Sequence, residues 1–94
     1  MAEYKFDGKE LRDQRGKKLA VLDGKYIRDE SGKKVGVIEG KYFRNTQGKR
    51  VAEFDGRFIR DSSGSKIADI NDVKKAINGI GGHSLVAMWL FFVR

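Results

Sequence analysis

Residues 23–38 read Asp-Gly-Lys-Tyr-Ile-Arg-Asp-Glu-Ser-Gly-Lys-Lys-Val-Gly-Val-Ile, and this stretch sets the pattern of the chain. It is preceded by a copy at 7–22 (DGKELRDQRGKKLAVL) and followed by copies at 39–54 (EGKYFRNTQGKRVAEF) and 55–70 (DGRFIRDSSGSKIADI), with no insertion or deletion. Each copy carries two turn signals. The acidic-Gly pairs Asp7-Gly8, Asp23-Gly24, Glu39-Gly40 and Asp55-Gly56 predict two-residue type I′ hairpin turns, because glycine takes positive φ without a steric cost. The second signal is Asp13, Asp29, Asn45 or Asp61 followed three residues later by glycine. It predicts a type I turn opened by an Asx side chain and closed by a left-handed glycine. The runs between turns are four to six residues long, which is strand length.

Four copies therefore predict eight antiparallel strands in up-and-down order, led in by a strand within 2–6. Eight strands with a regular repeat remove their edges most simply by closing into a shallow barrel. Leu11, Ile27, Phe43 and Ile59 share one repeat position. Leu19, Val35, Val51 and Ile67 share a second, and Leu22, Ile38, Phe54 and Ile70 a third. A fourth is always small (Ala20, Gly36, Ala52, Ala68), which lets something approach the sheet closely. Which set faces the core depends on whether the Asx turn carries a bulge, and the pattern alone leaves that open.

Beyond Ile70 the period breaks. Asn71 is expected to cap a short helix, Asp72 to Asn78, ended by Gly79, with Ile80-Gly81-Gly82-His83 as a connector. Ser84 is then the expected cap of Leu85–Val93, nine consecutive apolar residues that have no polar face and must be covered all round. Nine helical residues rise about 13 Å. That matches the height of a shallow barrel and falls well short of the roughly 20 residues of a membrane span. The expectation is a mainly β single domain, 1–94: a repeat barrel (2–70), a helix and glycine-rich connector (71–83), and an apolar plug (84–94). Leu85, Met88, Trp89 and Phe92 are the expected core of that plug.

The four-fold Gly-x-Tyr/Phe-Ile-Arg-Asp-x-x-Gly-Lys-x-Val-Ala/Gly-x-Ile pattern resembles the four-fold β-flower proteins of bacteria. That resemblance covers residues 2–70 and implies a shallow symmetric barrel of hairpins. It extends by architecture to Tubby-like and scramblase-like barrels, which have a hydrophobic helix passing through the centre. Some of those relatives bind phosphoinositides or sit at membranes. β-flower proteins have no established activity, so the resemblance implies a fold rather than a function.

The chain has no cysteine, which removes disulfides and thiolate chemistry. His83 is the single histidine, and its neighbour Ser84 does not make a triad. The turn carboxylates offer too few oxygens in one place for calcium. No enzyme, metal or cofactor is expected. The formal charge is +7, with 16 Lys/Arg against 11 Asp/Glu interspersed through residues 7–70. Arg12, Arg28, Arg44 and Arg60 hold one repeat position without exchange for lysine, and in a closed barrel they would form a ring suited to phosphate or carboxylate. Their plainer role is to stack on Tyr26, Tyr42 and Phe58 or to pair with a turn carboxylate. The expectation is a binding or scaffold module engaging an anionic ligand or membrane surface through a basic rim. Its rivals are a structural homo-oligomer that buries Trp89, Phe91 and Phe92, and a nucleic-acid binder. The first residues lack an apolar signal core, so a cytoplasmic place, peripheral at a membrane, is expected.

Overall fold

The computed structural model describes residues 3–79 and 82–93. Within them ten strands pair in one sheet, in the order β10-β1-β2-β3-β4-β5-β6-β7-β8-β9. The lead-in strand is β1 (Tyr4–Phe6). The eight repeat strands follow as β2 (Glu10–Asp13), β3 (Lys18–Asp23), β4 (Tyr26–Asp29), β5 (Lys34–Glu39), β6 (Tyr42–Asn45), β7 (Arg50–Phe54), β8 (Phe58–Asp61) and β9 (Lys66–Asp69). Then come α1 (Ile70–Ala76), β10 (Ile77–Gly79), α2 (His83–Met88) and a π-helical turn, Trp89–Val93.

The Asx turns form as the sequence requires. In the second copy the carbonyl of Asp29 accepts from the N–H of Gly32 at 3.0 Å. The Asp29 side chain accepts from the N–H groups of Ser31 and Lys33 and from the Ser31 hydroxyl. Asn45 holds its turn with the same two backbone bonds and no charge. The glycine-led turns differ from expectation. The loop between β3 and β4 is Gly24-Lys25, and only Gly24 has positive φ. That is type II′, since type I′ would need positive φ at lysine as well. At Asp7 and Asp55 the loop is one residue longer, and the aspartate accepts from two following N–H groups.

These bonds favour the ionised carboxylates. The Ser31 and Ser63 hydroxyls hold Asp29 and Asp61 below the usual carboxylate range, with backbone N–H groups adding to the effect. Backbone donors do the same to Asp7, Asp55 and Asp69. A lowered folded value adds stability that is present above the unfolded value, about 3.9, and is lost as pH falls through the folded one. The melting temperature should hold from neutrality to about pH 5 and drop below about pH 4. Asp29→Asn with Asp61→Asn should flatten that drop, leaving two turns in the state Asn45 already has. An unchanged acid profile in the double variant would show that these turns do not set it.

Each Asx turn is followed by a bulge. Ile27 pairs with Gly36 but Arg28 with Lys34, so Val35 is the extra residue; the shift recurs in all four copies. This settles the faces. Leu11, Ile27, Phe43 and Ile59 lie opposite Ala20, Gly36, Ala52 and Ala68 on the inner side, and all eight are buried. Leu22, Ile38 and Phe54 continue that side, while Leu19, Val35, Val51 and Ile67 pack partly against it. The small position has a visible occupant, since a β-carbon built on Gly36 would lie 2.5 Å from the tip of the Phe91 ring.

The sheet is not the closed barrel expected. Among the described residues no ladder joins β9 to β10, and the two are the ends of the row. The strand count rules out the antiparallel closure that was expected. Nine antiparallel strands leave β1 and β9 pointing the same way, so no antiparallel ladder can join them. Instead α1 leads from the end of β9 to β10, which pairs in parallel with β1 (Tyr4 with Ile77, Phe6 with Gly79). Both α1 and α2 are short, and α1 packs on β9, β10, α2 and the π-helical turn, so the seam is covered rather than bonded.

The expected helix 72–78 is displaced. Asp69 is the cap, accepting from the Asp72 N–H at 3.1 Å while Asp72 returns a bond to the Asp69 N–H at 3.0 Å. This reciprocal capping box outcompetes Asn71. The segment expected as the helix end is strand β10, where a β-carbon at Gly79 would collide with the Phe6 carbonyl. Residues 80 and 81 of the expected connector lie outside the described residues. α2 begins at His83, after Gly82, rather than after Ser84. Leu85, Val86, Ala87 and Met88 are fully buried against the inner face, whereas Trp89 to Val93 are each partly exposed.

Candidate anion-binding end

Because the strands alternate in direction, all Asx turns gather at one end of the sheet and all glycine-led turns at the other. The four Asx-turn segments (13–18, 29–34, 45–50, 61–66) carry eight basic residues against four acidic. The glycine-led segments (7–10, 23–26, 39–42, 55–58) carry four basic against five acidic. Charge that looks interspersed along the chain is thus sorted between two ends. At the basic end Asp13, Asp29 and Asp61 are committed to their own turns. Lys33 and Lys49 are exposed there, whereas their neighbours Lys34 and Arg50 lie over the half-buried rings of Tyr26 and Tyr42.

Arg12, Arg28, Arg44 and Arg60 lie on the outer face, since Arg28 pairs with Val21 and Arg44 with Val37. They do not converge on an axis. They occupy every second strand, about 10 Å apart at the usual strand spacing. Each turns its guanidinium toward the basic end and donates to the carbonyl of the turn glycine: Gly16 (3.0 Å), Gly32 (3.1 Å), Gly48 (3.0 Å) and Gly64 (3.5 Å). Arg12 also pairs with Glu10, Arg28 with Asp23 at 3.1 Å, and Arg44 with Glu39 at 3.2 Å. Arg60 has no carboxylate partner among the described residues, and its guanidinium lies 5.9 Å from the Phe58 ring. Arginine at this position is explained by the double task, which a lysine ammonium cannot span in one plane.

The rings of Tyr26, Tyr42 and Phe58 are covered by cations from the preceding loop and the following strand. Lys34 lies 4.0 Å from Tyr26, Arg50 4.7 Å from Tyr42, and Lys66 4.7 Å from Phe58. Of the expected plug residues, Leu85 and Met88 are fully buried, while Trp89 and Phe92 pack against the core with part of their surface open. His83 stands away from the basic end, with its ring edge-on to Phe54 at 5.1 Å and its Nε2 buried without a hydrogen-bond partner among the described residues. No group of three His, Asp or Glu side chains able to hold a metal ion occurs among the described residues.

Two shallow clefts lie beside the seam. One, of about 330 Å³, is lined by Glu3, Tyr4, Asp72, Lys75, Ala76 and Val93. The other, of about 230 Å³, joins Glu3 and Tyr4 to Asp13, Gln14 and Arg15 of the first Asx turn. Sequence reasoning missed both: the first needs α1 and Val93 brought beside β1 from the far end of the chain, and the second is a shallow gap between β1 and the first Asx turn that no periodicity marks.

Comparison with curated proteins and with solved structures returns no match in either case. The extension to Tubby-like and scramblase-like barrels does not carry over, for those barrels are closed and this sheet is not. A family model does match, that of the 4-fold beta flower protein, over residues 9–81. It takes in all but the first two residues of the four hairpin copies, together with α1 and β10, and on that ground the chain belongs to the 4-fold beta flower family.

Proposed function

We propose that this protein is a non-enzymatic binding module whose Asx-turn end takes up an anionic partner, foremost a lipid headgroup or membrane surface. The sorting of charge between the two ends carries this reading. Lysine used only as a solubiliser would be spread over both ends. The arginines act here by holding the turns that present the lysines, and in part by their own charge. Residues 85–93 serve as the core on which the sheet is folded, with Leu85 and Met88 at its centre. A nucleic-acid partner is less well served, because the aromatic rings that would stack on bases already carry cations.

Each basic residue close to an anionic membrane adds about 1 kcal/mol. Lys33→Gln with Lys49→Gln should therefore weaken flotation with phosphatidylserine-containing vesicles about thirtyfold. Lys9→Gln with Lys25→Gln removes the same charge from the other end and should change it little. Equal losses from both pairs would reduce the effect to net charge and overturn the proposal. Light scattering in parallel tests the rival: a lipid-indifferent oligomer would return the protein to a structural role.

A further inference from the structure

The path of α2 joins the basic end to the most apolar stretch of the chain. His83 begins it beside Phe54, just before the glycine-led turn at Asp55. Farther on, the Phe91 ring stands over Gly36. Val93 then shares a cleft with Glu3 and Tyr4, and those two residues share the next cleft with the Asx turn Asp13–Arg15. The segment thus runs from the acidic end to the basic end. Burial changes along it, complete from Leu85 to Met88 and only partial for every residue from Trp89 to Val93. None of the five is fully covered; the Phe91 ring turns inward onto Gly36, while Val93 reaches the cleft that adjoins the first Asx turn, at the end where lysines and arginines are concentrated.

A soluble polyanion would use the cations and leave these five residues as they are. An anionic bilayer uses both, because apolar and aromatic side chains gain by entering the headgroup boundary while lysine and arginine stay at the phosphates. No described helix is long and apolar enough to cross a membrane, so insertion through this segment is shallow. We propose that this end docks on an anionic lipid bilayer with Val93 and the open parts of Trp89, Leu90 and Phe92 entering the headgroup region and Arg15, Lys17, Lys33, Lys49 and their neighbours pairing with lipid phosphates. The proposal rests on the reading that the Asx-turn end binds an anionic membrane surface, and adds to it that the apolar turn after α2 inserts into that surface.

Trp89 is the only tryptophan, so its emission reports on this segment alone. The unaltered protein is titrated with vesicles of phosphatidylcholine and phosphatidylserine whose acyl chains are brominated near the headgroup. The expected result is quenching of at least about half the emission, since heavy-atom quenching requires near contact and insertion is limited to the interfacial layer about 5–10 Å deep. Brominated phosphatidylcholine alone, with or without inositol hexakisphosphate, should leave the emission unchanged. Val93→Asp, at the open rim of the cleft and away from the fully buried stretch, should lose the quenching while thermal melting shows it folded. Salt-sensitive flotation without quenching would overturn insertion yet leave the anion-binding reading standing. Failure to float with anionic vesicles would overturn both, and quenching that persists in Val93→Asp would overturn the role given to this segment.

Discussion

A chain truncated after Gly82 is expected to lose cooperative folding altogether. Leu85, Val86 and Met88 are fully buried, and each large apolar side chain taken from water is worth about 1.5–3 kcal/mol. Those three alone reach the lower end of the roughly 5–15 kcal/mol that stabilises an ordinary domain. Trp89, Leu90, Phe91, Phe92 and Val93 add the covered part of their surfaces. The sheet left behind would expose Leu11, Ile27, Phe43 and Ile59 along one side, an apolar face with open strand edges. Circular dichroism should show no melting transition, and scattering should show aggregation. Leu85→Ala is the graded version, expected to cost about 2–5 kcal/mol by denaturant unfolding. A truncated protein that melts cooperatively near the parent temperature would remove the segment from the core.

Gly36→Val is the second substitution expected to act strongly. Valine is favoured in strands, and Gly36 does not have positive φ, so backbone and propensity both predict a gain. The Phe91 ring predicts the reverse, because any β-carbon at 36 would lie 2.5 Å from it. Overpacking of a filled site costs about 1–3 kcal/mol and should win. The cause is separable. In Phe91→Ala the clash is gone, so Gly36→Val should become neutral or stabilising, a coupling of about 1–3 kcal/mol. Additive effects in the double variant would mean that the ring and the glycine do not meet.

The repeats, their strands and the Asx turns were legible because each is decided within sixteen residues, by hydrogen bonds between near neighbours. Closure was not. It turns on how β1 meets a strand more than seventy residues later, and Ile77-Asn78-Gly79 is too short to show any periodicity against a helical background. The cap moved from Asn71 to Asp69 for a related reason, since its partner Asp72 had been read as the first helical residue rather than the third. For the candidate site, the four arginines stood out as a set by their fixed repeat position, but the ring expected of them does not form. Their ring required a barrel, whereas the glycine carbonyls they hold are four residues away in sequence. The sorting of charge was hidden by the meander itself, which interleaves the two ends every eight residues so that any running count along the chain averages them.

The covered seam has a consequence for how many copies such a protein can hold. A whole copy contributes two strands, so adding or deleting one preserves the relative direction of β1 and the last repeat strand. The α1–β10 bridge would fit either length equally well. Hydrogen bonding therefore places no limit on copy number. The limit comes from inside, where a helix about 10–12 Å across has to fill the space that the sheet surrounds. Variants with three or five copies should therefore fit α2 worse than four, and a lower melting temperature for both would make α2 the gauge of copy number.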